Sequence, residues 1–142
     1  MNFKYKNNML EIGIADICPP VDCINSTIQA YRFTYDSINN EKNFQPVYVK
    51  KPKRFNDKSD LEKCSAFGIS LYQSEEQATN KFNSLKDIIQ NIGKTIGTHL
   101  ATGLIKDYFG VITLIDQDGH FDLHESENCD LTNEFTILKK LV

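Results

Sequence analysis

The chain has 142 residues, of which 40% are apolar and 25% are charged, and its net charge is −3. This composition is that of an average globular domain, so it excludes collagen-like, mucin-like and wholly disordered chains. No uncharged apolar run approaches the ~20 residues that cross a bilayer, and Glu11 and Asp16 interrupt the N-terminus where a secretory signal has its apolar core. We therefore expect one soluble, cytoplasmic domain over residues 1–142, with residues 1–8 frayed.

The first half of the chain contains patterns that predict short strands. Residues 10–14 alternate between branched apolar residues and small or charged ones, which is the period of two of a strand. Residues 29–35 predict a longer strand, in which aromatic side chains share one face (Tyr31, Phe33 and Tyr35). The stretch 47–49 predicts another short strand, and one helical turn is expected near 59–63.

The clearest helix signal follows a buried strand predicted over 67–72. The residues from Ser74 to Gln77 have the form of a capping box, with a serine N-cap, acids in the first turn and a glutamine three residues on. Apolar residues then recur at steps of three and four from Ala78 to Ile96, which places them on one helix face. The pattern predicts one long helix over 75–92.

The C-terminal third is predicted to consist of strands, over 99–105, 111–115, 119–125 and 135–138. Asp118-Gly119, between the second and third of these, is a signal for a type I′ hairpin turn. Strands and helices do not alternate in the order that a doubly wound parallel sheet requires. We expect an α+β fold in which the long helix packs on a curved, mainly antiparallel sheet of five to seven strands.

Four cysteines stand at positions 18, 23, 64 and 129, and they form no close C-x-x-C pair. Structural zinc sites usually contain two close pairs of Cys or His ligands, so this spacing does not predict one. The lack of a secretory signal indicates a reducing compartment, in which disulfides are rare. We therefore expect four reduced, structural thiols.

Charge is distributed unevenly along the chain. Residues 107–142 contain eight Asp/Glu and two Lys, a net charge of −6, whereas positive charge concentrates between Lys50 and Lys58. Phosphate binding depends on Lys and Arg, so a uniformly basic nucleic-acid surface is excluded. The Lys50–Lys58 segment is expected to be a solvated loop with at most weak affinity for nucleic acid, and another protein is the expected partner.

One candidate site lies in the sequence His120-Phe121-Asp122-Leu123-His124. In a strand, residues two apart point the same way, so both imidazoles and the carboxylate are expected on one face. Histidine nitrogen and carboxylate oxygen suit Zn²⁺ or Mn²⁺. Adjacent same-face residues are ~7 Å apart, so two of the three, with His120 and His124 as the metal ligands, are the expected set; a solvent-facing polar strand is the alternative.

A second candidate site is dispersed along the chain. It consists of Arg32 on an early strand, Ser70 before the long helix, and the Glu125-Ser126-Glu127 segment after a late strand. A guanidinium binds a pyrophosphate bidentately, a serine hydroxyl holds the neighbouring ribose, and a carboxylate stabilises positive charge at an anomeric carbon.

This order resembles the Arg–Ser–Glu arrangement of the mono-ADP-ribosyltransferase family over some 100 residues of chain, and Glu125-x-Glu127 is similar to that family's E-x-E loop. The resemblance implies NAD as a cofactor bound by Arg32 and Ser70, with Glu125 and Glu127 as catalytic residues. Ser70-Leu71-Tyr72 stands where the family usually has Ser-Thr-Ser.

Three functions therefore follow from the sequence as expectations. The first is a small binding or accessory module that acts through protein–protein contacts and needs no cofactor. The second is an NAD-dependent, ADP-ribosyltransferase-like enzyme that uses Arg32, Ser70 and Glu125. The third is a divalent-metal site on the strand from His120 to His124.

Overall fold

The computed structural model describes all residues from 1 to 142 and has an α+β fold. Six strands form one antiparallel sheet in the order β4-β5-β2-β1-β3-β6. The strands are β1 (Ile28–Thr34), β2 (Ile69–Tyr72), β3 (His99–Ile105), β4 (Gly110–Ile112), β5 (His120–Glu125) and β6 (Phe135–Lys140). The predicted fold class, strand number and antiparallel pairing are confirmed.

Five α-helices accompany the sheet. They are α1 (Lys6–Glu11), α2 (Val47–Lys50), α3 (Asp60–Ala66), α4 (Glu75–Lys86) and α5 (Ile92–Thr95), with 3₁₀ turns at Glu41–Phe44, Pro52–Phe55 and Leu131–Asn133. The helical turn expected near 59–63 is confirmed as α3, which begins after the N-cap Ser59.

The helix predicted over 75–92 starts where expected but ends at Lys86. The Ser74 hydroxyl accepts a hydrogen bond from the Gln77 amide at 3.1 Å, as the capping box requires. Beyond the helix end, Ile88 is 77% exposed, and Asn91, with a left-handed φ of 58°, begins the separate helix α5. The apolar stripe therefore spans two helices: α4 ends at Lys86, and the left-handed Asn91 is the N-cap from which α5 starts in a new direction.

Side chains cover both faces of the sheet. On one face a cluster of twelve buried residues forms the main core, which includes Ile69, Leu71, Phe121 and Leu123. On the other face α1 and α3 meet in a second cluster that contains Cys18 and Cys64. Both faces of β2 and β5 are therefore largely buried, and the buried residues of β5 include the polar side chains of Asp122, His124 and Glu125.

Two predicted strands and one predicted frayed end are wrong. Residues 10–14 include the end of α1, and 47–49 lie in α2, which follows Pro46 at its N-cap. Periodicity over three to five residues does not distinguish a strand from a short helix, and tertiary contacts decide between them. Residues 1–8 are anchored, since Phe3 bridges Ser126 and the Lys4 amide donates to the Glu125 carbonyl at 2.9 Å.

The hairpin between β4 and β5 turns at the expected residues but not as a type I′ turn. Gly119 has a φ of +78°, whereas the only non-glycine residue with positive φ is Asn91, so Asp118 is not left-handed as type I′ requires. The Asp116 carboxylate organises the loop, because its Oδ1 accepts from the amides of Asp118 at 2.8 Å and His120 at 3.0 Å. An Asx-type turn therefore replaces the predicted turn.

The expectation of four reduced thiols is also wrong. Cys18 and Cys64 form a disulfide, with their Cα atoms 5.5 Å apart, and Cys23 and Cys129 are free. The two bonded cysteines are 46 residues apart in the sequence. Only the packing of α3 against the segment after α1 brings them within bridging distance.

None of the helices combines the length and the apolar character that a membrane-spanning helix needs.

Candidate functional site

A cleft of about 920 Å³ opens beside the two central strands. β1 and β2 pair only at Tyr31 and Tyr72 and then separate, so β2 and β5 continue without β1 as a close neighbour. The cleft is lined by β1, β2 and β5 on the sheet side and by residues of α2, α3 and α5 around its mouth.

Arg32 occupies the gap between the separating strands. Its Nη1 donates to the Ser70 carbonyl at 2.8 Å, and its Nε donates to the Asn43 carbonyl at 2.6 Å. The guanidinium thus replaces the missing backbone pairing between β1 and β2. Burial lowers the pKa of Arg32 to about 10, which leaves it protonated at neutral pH. These bonds use two of its five N–H groups, and the side chain lines the cleft.

Asn43 positions this arginine, a role that no pattern in the sequence predicted. Asn43 is 2% exposed. Its Oδ1 accepts from the Tyr35 amide at 2.8 Å, and its Nδ2 donates to the carbonyls of Ser37 at 2.8 Å and Ile38 at 3.2 Å. These bonds close the loop after β1 and present the Asn43 carbonyl to Arg32. An asparagine in an Asn-rich loop carries no signal of such a role.

The rim of the cleft is basic. Five further cations line it together with Arg32, and two carboxylates do so, Glu62 and Asp122. The five cations are Lys42, Lys50, Lys51, Arg54 and Lys94. Desolvation, reinforced by Arg32 and then by the neighbouring cations of the rim, lowers the pKa of Lys50 to about 8. A cation whose pKa is lowered by like charges is stabilised when an anion enters.

Ser70 and His120 form the closest polar pair in the cleft, with 2.6 Å between Ser70 Oγ and His120 Nε2. This contact follows from the β2–β5 register, which pairs Tyr72 with His120 and Ser70 with Asp122. Two carboxylates flank the imidazole: Asp116 Oδ2 lies 3.7 Å from Nδ1, and Asp122 Oδ1 lies 3.5 Å from Nε2. A hydroxyl bonded to an imidazole that has carboxylates nearby is a nucleophile–base arrangement.

Asp122 is held from the opposite side by α3. Its Oδ2 accepts from the Ser65 hydroxyl at 2.9 Å. Burial raises the pKa of Asp122, while the charge of His120 and the hydrogen bond from Ser65 oppose that rise. Gly68 permits this placement, because a Cβ there would lie 2.7 Å from the Asp122 Cβ.

Glu125 and Glu127 do not line the cleft. Glu125 is 3% exposed, and its Oε2 lies 2.7 Å from Lys4 Nζ. Burial raises the pKa of Glu125, while the hydrogen bond and charge of Lys4 lower it. Glu127 is exposed and accepts from Asn2 Nδ2 at 3.3 Å. Of the four residues that the resemblance assigns, the structure brings together Arg32 and Ser70 only.

The two histidines expected to bind one metal belong to different surroundings. His120 lies in the cleft, whereas His124 is 3% exposed and offers a ring nitrogen within 4.8 Å of the sulfurs of Cys18 and Cys64. His124 Nε2 has no hydrogen-bond partner, and burial lowers the pKa of His124 to about 4. The strand from His120 to His124 therefore contributes to two separate sites.

Comparison with protein-family models, with curated proteins and with solved structures gives no match to this chain.

Proposed function

We propose that this protein is a binding module whose cleft takes up a phosphorylated small molecule. The observation that carries the proposal is the charge of the cleft, which has six cations and two carboxylates in a chain of net charge −3. A concentration of cations against the net charge of a chain focuses the electrostatic potential on one region and attracts anions to it. Arg32 at the base supplies the planar, multiple donors that phosphate oxygens accept from.

The size and lining of the cleft favour a ligand that also carries a ring. Small-molecule sites typically enclose ~300–1,000 Å³, and this cleft encloses about 920 Å³. Four aromatic side chains line it beside the cations: Phe33, Tyr35, Phe55 and Tyr72. A heterocyclic base stacks on such side chains, whereas inorganic phosphate alone leaves them uncovered. A nucleotide is therefore the ligand class that fits both features.

NAD belongs to this class and is the nucleotide that the ADP-ribosyltransferase resemblance implies. Arg32 and Ser70 line the cleft, which supports their assigned part in binding a pyrophosphate and its ribose. The carboxylates nearest to such a ligand are Glu62 and Asp122 rather than Glu125 or Glu127. Binding of NAD is therefore better supported than transfer of ADP-ribose through Glu125.

Thermal unfolding of the full chain with ATP, NAD, pyrophosphate and adenosine tests the proposal. A nucleotide at 100 times its dissociation constant stabilises by ~2.7 kcal/mol, which raises the Tm of a domain of this size by ~5–10 °C. Adenosine carries the ring without phosphate and is expected to give a much smaller shift. Lys50→Gln is expected to weaken nucleotide binding about tenfold, because it removes one charge from the rim.

Lys140→Gln is the matched control, since Lys140 is exposed at the end of β6 and does not line the cleft. Equal weakening by both variants would indicate a nonspecific effect of net charge. Failure of ATP, NAD and pyrophosphate alike to raise the Tm would refute the anion-binding proposal and favour the protein–protein module expected from composition.

A second candidate function is hydrolysis of a phosphate or carboxylate ester in the bound ligand. The observation that favours it is the 2.6 Å contact between Ser70 Oγ and His120 Nε2. With Nε2 unprotonated, His120 accepts the hydroxyl proton as Ser70 Oγ attacks the phosphorus or carbonyl carbon. The leaving oxygen takes that proton from His120, and water then hydrolyses the covalent intermediate. Cations around the cleft stabilise the negative charge that develops on the reacting group.

Ser70→Ala is expected to abolish hydrolysis of a chromogenic phosphate or acetate ester, a loss of at least ~100-fold, while nucleotide binding weakens by no more than about tenfold, the cost of one hydrogen bond to the ribose. Absorbance of the released product measures ester hydrolysis, and calorimetric titration measures nucleotide binding. Thr136→Ala, on the exposed side of β6, is the control for a lost hydroxyl. Turnover that survives in the Ser70 variant would assign the activity to another residue or to a contaminant.

A further inference from the structure

A buried cluster on the covered face of the sheet lies outside the proposed cleft. Cys18, Cys64 and His124 are 4%, 1% and 3% exposed. Each offers a ligand atom within 4.8 Å of the other two. They come from three separate parts of the chain: the turn after α1, helix α3 and strand β5. From the sequence alone, His124 was expected to share a metal ion with His120, and Cys18 and Cys64 were expected to be reduced thiols.

His124 is the residue that distinguishes this cluster from an ordinary structural disulfide. Its Nε2 is buried and has no hydrogen-bond partner. Buried polar atoms are nearly always paired, so an unpaired ring nitrogen on a histidine that lies beside two sulfurs indicates a ligand or a second state of the site. Met9, Ile14 and Phe67 belong to the same buried cluster as the two cysteines.

We infer that the reduced form of this cluster binds Zn²⁺ through the thiolates of Cys18 and Cys64 and the imidazole of His124. Two thiolates neutralise the charge of one Zn²⁺, so the complex is compatible with an apolar site. Tetrahedral zinc with Zn–S of ~2.3 Å and Zn–N of ~2.0 Å places donors ~3.5–3.8 Å apart. The ring nitrogen of His124 already lies within 4.8 Å of both sulfurs, and the two sulfurs, which are bonded in the oxidised form, move apart by side-chain rotation once they are reduced. Water fills the fourth position.

Metal binding and disulfide formation are alternative states of one site. A thiol reductant transfers two electrons and two protons to the disulfide, which leaves Cys18 and Cys64 as thiols and the reductant as its own disulfide. Zn²⁺ then binds and displaces one proton from each thiol. A small-molecule disulfide reverses the sequence by thiol–disulfide exchange: it takes two electrons from the thiolates and two protons from water, becomes two thiols, and leaves Cys18 and Cys64 bonded while Zn²⁺ is released. The inference does not depend on the proposed cleft, because none of the three ligands lines it.

Cobalt and zinc titrations of the full chain, reduced with a phosphine, test this inference. We expect one Co²⁺ per chain with thiolate-to-metal charge-transfer absorption, which Zn²⁺ displaces, and no such absorption in the oxidised chain. Cys64→Ser and His124→Gln are expected to weaken Zn²⁺ binding more than ~100-fold, since loss of outer-sphere partners alone costs 10–100-fold. Cys23→Ser is the matched control, because Cys23 lies outside the cluster.

Alkylation mapping keeps the test decisive if a variant fails to fold. In the reduced wild-type chain, Zn²⁺ is expected to protect Cys18 and Cys64 from iodoacetamide while labelling of Cys23 is unchanged. Absence of thiolate absorption with Co²⁺, or equal Zn²⁺ affinity in Cys64→Ser, would overturn the inference and leave a purely structural disulfide.

Discussion

Replacing Lys4 by methionine is expected to lower the free energy of unfolding by about 3 kcal/mol. Lys4 Nζ lies 2.7 Å from Glu125 Oε2, and the side chain of Glu125 is 2% exposed. The same ammonium group donates to the Cys129 carbonyl. Glu125 Oε1 already lacks a partner, so loss of Lys4 removes the main hydrogen bond and positive charge that offset the desolvation of this carboxylate, and leaves only the weaker contributions of Cys129 and Arg32. Chemical denaturation at neutral pH measures the loss.

The pH dependence of the stability loss in Lys4→Met is expected to identify the Glu125 carboxylate as its cause. Burial raises the pKa of Glu125 above the ordinary 4.5, so its ionised form destabilises the folded state at pH values above the folded pKa. That cost disappears as the pH falls through the folded pKa, because the carboxyl becomes neutral. The deficit of Lys4→Met is therefore expected to shrink as the pH is lowered from 7 towards 4.5.

Two further variants complete the comparison. Lys4→Met combined with Glu125→Gln is expected to recover most of the loss, because no buried charge remains. Lys6→Met removes an exposed lysine that forms no ion pair and is expected to change stability by less than ~0.5 kcal/mol. An equal loss in Lys6→Met would show that methionine near the N-terminus, rather than the ion pair, is responsible.

Gly110→Ala is expected to destabilise the protein by about 4 kcal/mol through its backbone geometry. Gly110 has a φ of +155° and begins β4 opposite Glu125. A Cβ at this position would lie 2.1 Å from the backbone oxygen of His124. The His124 backbone oxygen cannot rotate away, because β5 is paired on both sides with β4 and β2. The edge strand β4 must therefore move away from β5. Urea denaturation with matched slopes measures the change.

Gly13→Ala separates the two sources of the loss in Gly110→Ala, which are the positive φ and the steric overlap of the added Cβ. Gly13 also has a positive φ, +76°, but nothing lies within 4 Å of an added Cβ. Its replacement is therefore expected to cost only the left-handed strain, about 1–2 kcal/mol. A Gly110 variant as stable as the Gly13 variant would mean that β4 is displaced at little cost. In that case the end of the sheet beside His124 is less rigid than its pairing indicates.

Local patterns in the sequence were sufficient for much of the fold. The capping box at Ser74 predicts the start of α4, and the strand predicted over 99–105 coincides with β3. The period of two in β5 places His120 and Asp122 together beside the cleft. These predictions succeed because the responsible forces act between residues within a few positions of one another: backbone capping, side-chain alternation and the burial of one face.

Short segments were predicted less well for the same reason. Residues 10–14 and 47–49 contain too few turns or alternations to favour one structure, and contacts with distant residues made them helical. The apolar periodicity continued past the end of α4 at Lys86 and did not indicate the left-handed Asn91 that starts α5. In each case tertiary packing outweighed a weak local preference.

The sequence by itself determined the α+β class and a range of five to seven strands, and it predicted Arg32 and Ser70 as residues that bind a pyrophosphate and its ribose. Only the tertiary structure decided that the ammonium of Lys4 forms an ion pair with Glu125 and that His120 forms a hydrogen bond with Ser70. It also decided that His124 lies beside two cysteines that are 46 residues apart in the sequence. Those contacts depend on the order of strands in the sheet and on which helices cover it. Strand order is set by pairing between distant segments, and the spacing of residues along a chain carries no record of it.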